Sequence, residues 1–517
     1  YSPRDIYWTR TNAETYNFST GTIENREVGE PTRFKGNPVN LGLSYNWTNG
    51  EKNMLQIALR DNMLFMPQSE TNRDSYLYQG MDSFAIHDHE STQSISPSLD
   101  IYYEHNLPDD NHLYFDVVGT YINSSNDRRF EQLPLGETVA DTTDVTSRVR
   151  GNKYSLIGEA IYEKDWENIG LTVGVRHNQQ WVENTYLGSA DATVNMTTAE
   201  TYAFAEVQQR VKQFSYAVGI GAMHTYIEQG GQKSSNWIAR PQLTLSYDFG
   251  KGVFWKYKGY VSGYQPSLSA MSDVAQQIDK YQIRQGNPNL KPVMFVANEM
   301  QLSWQSKYVN LNIWANYSYD HKPIMEETYE QLIDGQAYAI RTYANHRGFH
   351  RLQVAPSVQV RLLQNKLIFT VAPFANYYVS LGNSYTHKHF NPGVRASFMG
   401  MYNGWQFFGE VTTRYNNLWG ETLEYGEFYH QIGVGYNADK WGFRAMLMNP
   451  FSVKGYSIET KDLSALAPNT QHAEMRDFRQ MLILNFHCNL DFGTQRRENG
   501  KRINNEDKEN GILSGTK

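Results

Sequence analysis

Apolar and polar residues alternate along most of this chain. In 39–47, Val39, Leu41, Leu43, Tyr45 and Trp47 share one face, while Asn40, Gly42, Ser44 and Asn46 share the other. The same period of two runs through 55–60, 171–176, 242–247 and 309–316. It reaches 482–492, where Leu482, Leu484, Phe486, Cys488, Leu490 and Phe492 oppose Ile483, Asn485, His487, Asn489 and Asp491. A period of two predicts β-strands with one apolar and one wet face. A soluble sandwich would alternate in the same way. Segment length separates the two cases. Sandwich strands run about 5–6 residues, whereas many segments here are long enough to cross a membrane at a tilt.

The turns sharpen this reading. Short ones (49–52, 108–111, 165–168, 250–252, 364–366, 402–404 and 438–440) alternate with long polar stretches near 68–92, 124–150, 265–292 and 451–474. Trp47, Trp166, Trp304, Tyr308, Trp405 and Trp441 flank short turns, as an interfacial girdle would. The expected fold is an all-β transmembrane antiparallel barrel of roughly 20–22 strands, with short periplasmic turns and long extracellular loops. A barrel of that size has a wide lumen that needs a plug.

Composition supports a wall between lipid and water. The 517 residues are 14% aromatic, yet the mean hydropathy is −0.62. A soluble enzyme of this size would carry more Leu, Ile, Val and Ala. No run of apolar residues is long enough for a transmembrane helix. Cys488 is the only cysteine, which rules out an intrachain disulfide framework and reads as a small apolar strand residue. The net charge of −7 weighs against nucleic acid as a partner.

One segment narrows the class. Residues 259–266 run Gly-Tyr-Val-Ser-Gly-Tyr-Gln-Pro, ending at Pro266, and a long loop follows. The chain re-enters through Gly286-Asn287-Pro288-Asn289-Leu290-Lys291-Pro292. Proline restricts the residue before it and glycine tolerates unusual angles, so the local role is a rigid, extended re-entry into the sheet. The segment resembles the barrel signature of TonB-dependent receptors. Val293 departs from it, standing where that family usually carries Glu, and Glu299 lies too far along to replace it. The polar stretch after Phe492-Gly493 resembles the tail of outer membrane β-barrel family 3 proteins of Bacteroides-type bacteria. The expected division is a barrel over 1–493 and a polar periplasmic tail over 494–517, disordered or forming a short clasp. No TonB box, plug or β-sandwich precedes the barrel, so the expectation is a C-terminal part of a larger receptor, with the plug and even first strands upstream of Tyr1.

The resemblance implies import of a nutrient (siderophore, vitamin, glycan or peptide) across the outer membrane of a Gram-negative cell. It implies outer-membrane lipid, the receptor's own plug and the TonB complex as partners, with a surface lipoprotein a further candidate. The competing readings are a passive porin-like or secretion-apparatus barrel, an enzyme embedded in a barrel, and a soluble β-rich surface protein. No nucleophile–base pair, phosphate-cradling glycine loop or paired-carboxylate signature points to an enzyme, and no cofactor is expected. Candidate ligand contacts are Tyr76, Tyr78 and Phe84 on the stretch 74–92, with Tyr329, Tyr338 and Trp419 elsewhere. Their flat apolar faces and polar tips suit sugar rings or aromatic ligands. Packing of loops against one another would use the same residues. His87 and His89 fall on one side of an extended chain and are candidate metal ligands beside Asp88 and Glu90; His387 and His389 repeat the spacing. An ordinary polar loop is the competing reading for both.

Overall fold

The computed structural model describes residues 4–50, 52–136, 142–452, 456–475, 480–490 and 500–514. In the strand Asp82–Leu107, Asp100 and Tyr102 are buried on the inner face while Leu99 and Ile101 lie exposed on the outer one. The same division recurs around the molecule. Leu43, Ile220 and Leu484 are 73%, 68% and 71% exposed. A continuous apolar band of this extent in water would be an aggregation surface, so the solvent it fits is lipid. The girdle residues Trp47, Trp166, Trp304, Tyr308, Trp405 and Trp441 are all exposed beside short turns.

Antiparallel pairing makes the wall. Asp82–Leu107 pairs with Asn111–Pro134, and the order continues through Thr143–Asp165, Ile169–Gly188, Ala192–Val211 and Phe214–Gln229. Among the described residues, 27 strands share one sheet. Seven of them are short extracellular pieces (Gly21–Gly29, Arg73–Gln79, Gln232–Ala239, Asn417–Trp419, Thr422–Tyr425, Tyr456–Asp462 and Asn469–Met475), which leaves 20: Arg4–Phe18 and the 19 strands of the wall. The chain is thus an antiparallel transmembrane barrel of the expected size. Its helical content among the described residues is one turn, Leu268–Met271, and no helix is long and apolar enough to cross a membrane.

The wall is hydrogen-bonded from Thr32–Asn49 round to Met481–Cys488. Those two strands do not pair with each other among the described residues, and residues 40–49 are exposed on both faces, as an edge would be. At the extracellular end, Arg4–Phe18 pairs with Thr32–Asn49, Gly21–Gly29 and Asn469–Met475.

Short turns fall where alternation breaks, and left-handed backbone angles close several of them. Examples are Asp109 (φ 61°), Asp110 (φ 53°), Asn403 (φ 45°) and Gly404 (φ 83°). Asn and Asp tolerate that region because their side chains bond locally. The long polar stretches differ from expectation. Residues 68–92 hold the strand Arg73–Gln79 and the start of Asp82–Leu107, and 124–150 holds the ends of Asn111–Pro134 and Thr143–Asp165. The wall rises well above the membrane, and there both faces of a strand are polar, so the apolar signal disappears while the strand continues.

Candidate functional site

Two segments enter the lumen, and they define what a solute would meet. The first is the loop after Tyr264. Ser267 caps the single helical turn by accepting a hydrogen bond from the Ala270 amide. Asn287 returns the chain: its amide donates to Ala270 O at 2.7 Å, and its side chain donates to Tyr343 O at 2.9 Å. Gly286 lies against this turn so closely that a Cβ would meet Ser272 O at 2.3 Å, a space only glycine fits. Leu290 is buried with Leu268 and Met271, Pro266 is buried, and Pro288 and Pro292 are half-buried. Lys291 is exposed, and its backbone exchanges hydrogen bonds with the Asn345 side chain. Gln282–Gln285 then pairs in parallel with Gln336–Asn345, which forms a hairpin with Ile324–Ile333. This small second sheet spans the mouth.

The second segment is the tail. Its described part, 500–514, is not a free periplasmic extension. Ile503 packs with Met54, Tyr102 and Tyr114, and Leu513 packs with Val149, Val182, Tyr186 and Leu268. Between these ends the Lys501 ammonium bonds Asp100 and Asp116, each at 2.6 Å. Asn505 donates to Asp116 and Glu159 at 2.8 Å. Lys153, 1% exposed, donates to Asp507 and to Glu509 O, each at 2.8 Å. The expectation of a disordered tail or short clasp was read from polarity alone; the described segment is held along the inner wall, which supplies opposite charges in matching order. The division at 493/494 lies outside the described residues.

Above these segments, two cavities of 820 and 440 Å³ open at the mouth and share Asp462 and Asn469. The larger is lined by Glu14, Arg26, Tyr78 and Lys461; the smaller by Arg284, Glu326, Arg341, Tyr343, Trp419 and Glu424. Arg341 organises them. Its guanidinium donates to Gln282 Oε1 at 2.6 Å and Asp462 Oδ2 at 2.7 Å, with Glu14 at 3.9 Å. Burial works against its charge, but Asp462, Glu14 and Glu326 overcome that and hold its pKa above the ordinary range. Nearby, burial pushes the Glu421 carboxyl up to about 7, reinforced by the negative charge of Asp462. Trp419 packs against Phe349 with ring centres 4.7 Å apart and planes tilted by 56°, presenting a braced aromatic surface.

Of the aromatics read from the sequence, Trp419 and Tyr78 line these cavities. Tyr76 is exposed on the same face of its strand as Tyr78. Tyr329 is exposed and Tyr338 lies opposite Gln331, and neither lines the mouth cavities. Phe84 is buried with Leu77, Ile86, Phe130 and Val145, which removes it from ligand contact. His87 and His89 lie on the outward face and converge on Asp74, whereas Asp88 and Glu90 point inward. Asp88 is bonded by Arg128 and Glu90 by Ser69. His387 faces Glu421 at 3.5 Å and His389 faces Asn416 at 3.4 Å, so that pair does not converge. Sequence reasoning missed Arg284, Arg341, Glu326 and Asp462, because single charges on polar stretches carry no distinguishing pattern.

A lipid-facing wall, a lumen crossed by anchored segments and a charged mouth define an outer-membrane barrel. The model of the outer membrane protein beta-barrel family matches residues 178–480, and the chain belongs to that family and to the outer membrane. No curated protein matches the sequence. Among solved structures, it is similar to the copper transporter OprC (10% identity, 92% of this chain and 81% of that one, TM-score 0.57). It is also similar to the siderophore receptor PirA from Pseudomonas aeruginosa (12% identity, 92% and 81% covered, TM-score 0.50). A third is a double mutant of the Serratia marcescens hemophore receptor HasR in complex with its hemophore HasA and heme (9% identity, 91% and 80% covered, TM-score 0.51). At these identities the likeness is one of fold. These neighbours are transporters and receptors, not enzymes.

Proposed function

We propose that this barrel imports a nutrient by the TonB-dependent route, with ligand held at the mouth and released through the lumen. The observation that carries the reading is the cavity pair around Arg341 and Asp462. Cations, carboxylates and a braced Trp419 converge there at the mouth, as they would to hold a polar ligand with flat apolar faces. A passive pore has no use for such a convergence. The fold neighbours include a copper transporter, a siderophore receptor and a hemophore receptor with heme, which supports a scarce nutrient as cargo. In this reading the barrel does no chemistry. A plug and the TonB complex supply gating and force, and a surface lipoprotein delivers ligand.

The test is growth of a deletion strain on a panel of sole iron, cofactor, glycan and peptide sources. Complementation with the wild-type gene restores one phenotype, and W419A or R341A weakens uptake at limiting ligand. Uptake is abolished when the proton-motive force is collapsed. Uptake that persists without that force would replace this reading with a passive pore.

A further inference from the structure

The hairpin of Arg73–Gln79 and Asp82–Leu107 turns through Gly80 (φ 61°) and Met81 above the membrane. Alternation sends Arg73, Ser75 and Leu77 inward, and Asp74, Tyr76 and Tyr78 outward. On the partner strand Asp88 and Glu90 go inward, and His87 and His89 outward. The inward carboxylates are committed to protein partners. Asp88 takes Arg128 at 2.7 Å and Arg73 at 3.3 Å, and Glu90 takes Ser69 Oγ at 2.8 Å. The outward residues form a separate group.

The register places Asp74 opposite His87, with His89 one same-face position further along. Asp74 Oδ1 lies 2.8 Å from His87 Nδ1 and 3.3 Å from His89 Nε2. All three donor atoms lie within 4.8 Å of one another. The two rings are nearly parallel, 13° apart in plane. A tetrahedral zinc centre holds nitrogen and oxygen ligands at about 2.0–2.2 Å, which places ligand atoms about 3.3–3.5 Å apart. The His89–Asp74 separation of 3.3 Å meets that spacing, and the His87–Asp74 separation of 2.8 Å needs to open by about half an ångström. The His87–Asp74 contact alone is an ordinary hydrogen bond. The second imidazole turned to the same oxygen is what makes a three-point site. Its side chains are 43%, 51% and 34% exposed for His87, His89 and Asp74, so a fourth ligand can be water. On the next strand Glu131 faces His87 and Arg129 faces His89. Arg129 is paired with Glu131 at 2.7 Å and Asp144 at 3.0 Å, so its charge is balanced beside the site.

We propose that Asp74, His87 and His89 bind a borderline divalent transition-metal ion, with Zn²⁺ as the natural occupant, and that the ion pins this extracellular hairpin. Two imidazoles select such an ion over Mg²⁺ or Ca²⁺, which prefer oxygen-only shells. None of the three residues lines the mouth cavities, so the site stands or falls independently of the import reading.

The experiment uses the full chain in detergent, with Zn²⁺ affinity measured by competition against a chromophoric chelator and Cu²⁺ read by electron paramagnetic resonance. Wild type is expected to hold one Zn²⁺ at least tenfold more tightly than H87A, H89N or D74N, with Mg²⁺ not competing. Cu²⁺ spectra should carry coupling from two imidazole nitrogens, reduced to one in H89N. H387A and H389A should match wild type. Heat-modifiable migration on gels confirms that each variant retains the barrel, and H89N stands in if H87A does not fold. Equal Zn²⁺ affinity in wild type and H89N, or a loss tracking H387A, would overturn the assignment.

Discussion

The strands Asn111–Pro134 and Val309–His321 carry the same alternation and meet lipid alike, yet their inner faces lie in different surroundings. Every inward residue of the first is buried from Tyr114 to Gln132, Asp116 completely. The inward residues of the second, Asn310, Asn312, Trp314 and Asn316, remain half-buried and wet. The difference is not local to either strand. Segment 500–514 covers the first with Lys501, Ile503 and Asn505, and the backbone of Ile278, in the lumenal loop, accepts a hydrogen bond from Arg128. A period of two tells which face is inside, but not what the inside contains.

The comparison is tested most severely by breaking one buried charge pair on the covered side. Lys153→Met leaves Asp507 buried without its cation, which should cost about 3–5 kcal/mol. Arg395→Ala removes a pair with Glu410 at 3.3 Å on the open side, where Arg395 is 64% exposed. That loss should stay within about 0.2–1 kcal/mol. Reversible urea unfolding from lipid vesicles reads both. Equal losses would mean that segment 500–514 does not hold the wall.

The outer faces should show no such asymmetry. Val117 and Ile313 both project outward from these two strands. Val117→Arg and Ile313→Arg should each cost about 2–4 kcal/mol if near the bilayer midplane. Refolding yields in vesicles check this, and a markedly smaller cost for either would place that position in water rather than lipid.

How much of this was legible follows the same line. Residues 39–47 were readable as a strand because lipid and lumen demand opposite residues on its two faces. Residues 73–79 and 124–134 read as polar loops because, above the membrane, most of their buried inward residues (Arg73, Ser75, Ser124, Asn126 and Arg128) are polar too, and the contrast is lost. Phe84 was read as a ligand contact, but its phase is that of Ile86, opposite to His87, and phase alone would have sent it inward. His87 and His89 were visible from their spacing. Asp74 was not, since its part depends on the register set by the turn at Gly80 and Met81. Lys501 and Asn505 looked like a solvated tail because Asp100, Asp116 and Glu159 lie hundreds of residues away. Arg341 and Asp462 meet only through folding of two separate extracellular hairpins.

The smallest expected effect concerns the mouth, where charge rather than cover sets the behaviour. Glu421 titrates near 7 in the folded barrel because burial and the neighbouring Asp462 disfavour its anion. Its ordinary value is 4.5, so between about 4.5 and 7 the folded state holds a proton that the unfolded chain has released. The protonated folded form therefore contributes stability at low pH, and that contribution falls as pH rises toward 7. Hydrogen exchange of the strands Asn417–Trp419 and Thr422–Tyr425 should speed up over that window, after correction for the intrinsic pH dependence of exchange. Glu421→Gln should flatten the profile by keeping the side chain neutral throughout. Amides of Val309–Ile313, at the opposite end of their strand from the mouth, should not respond. A profile unchanged by E421Q would assign the pH response to another mouth group, with Glu427, also pushed up to about 7 by burial, next in line.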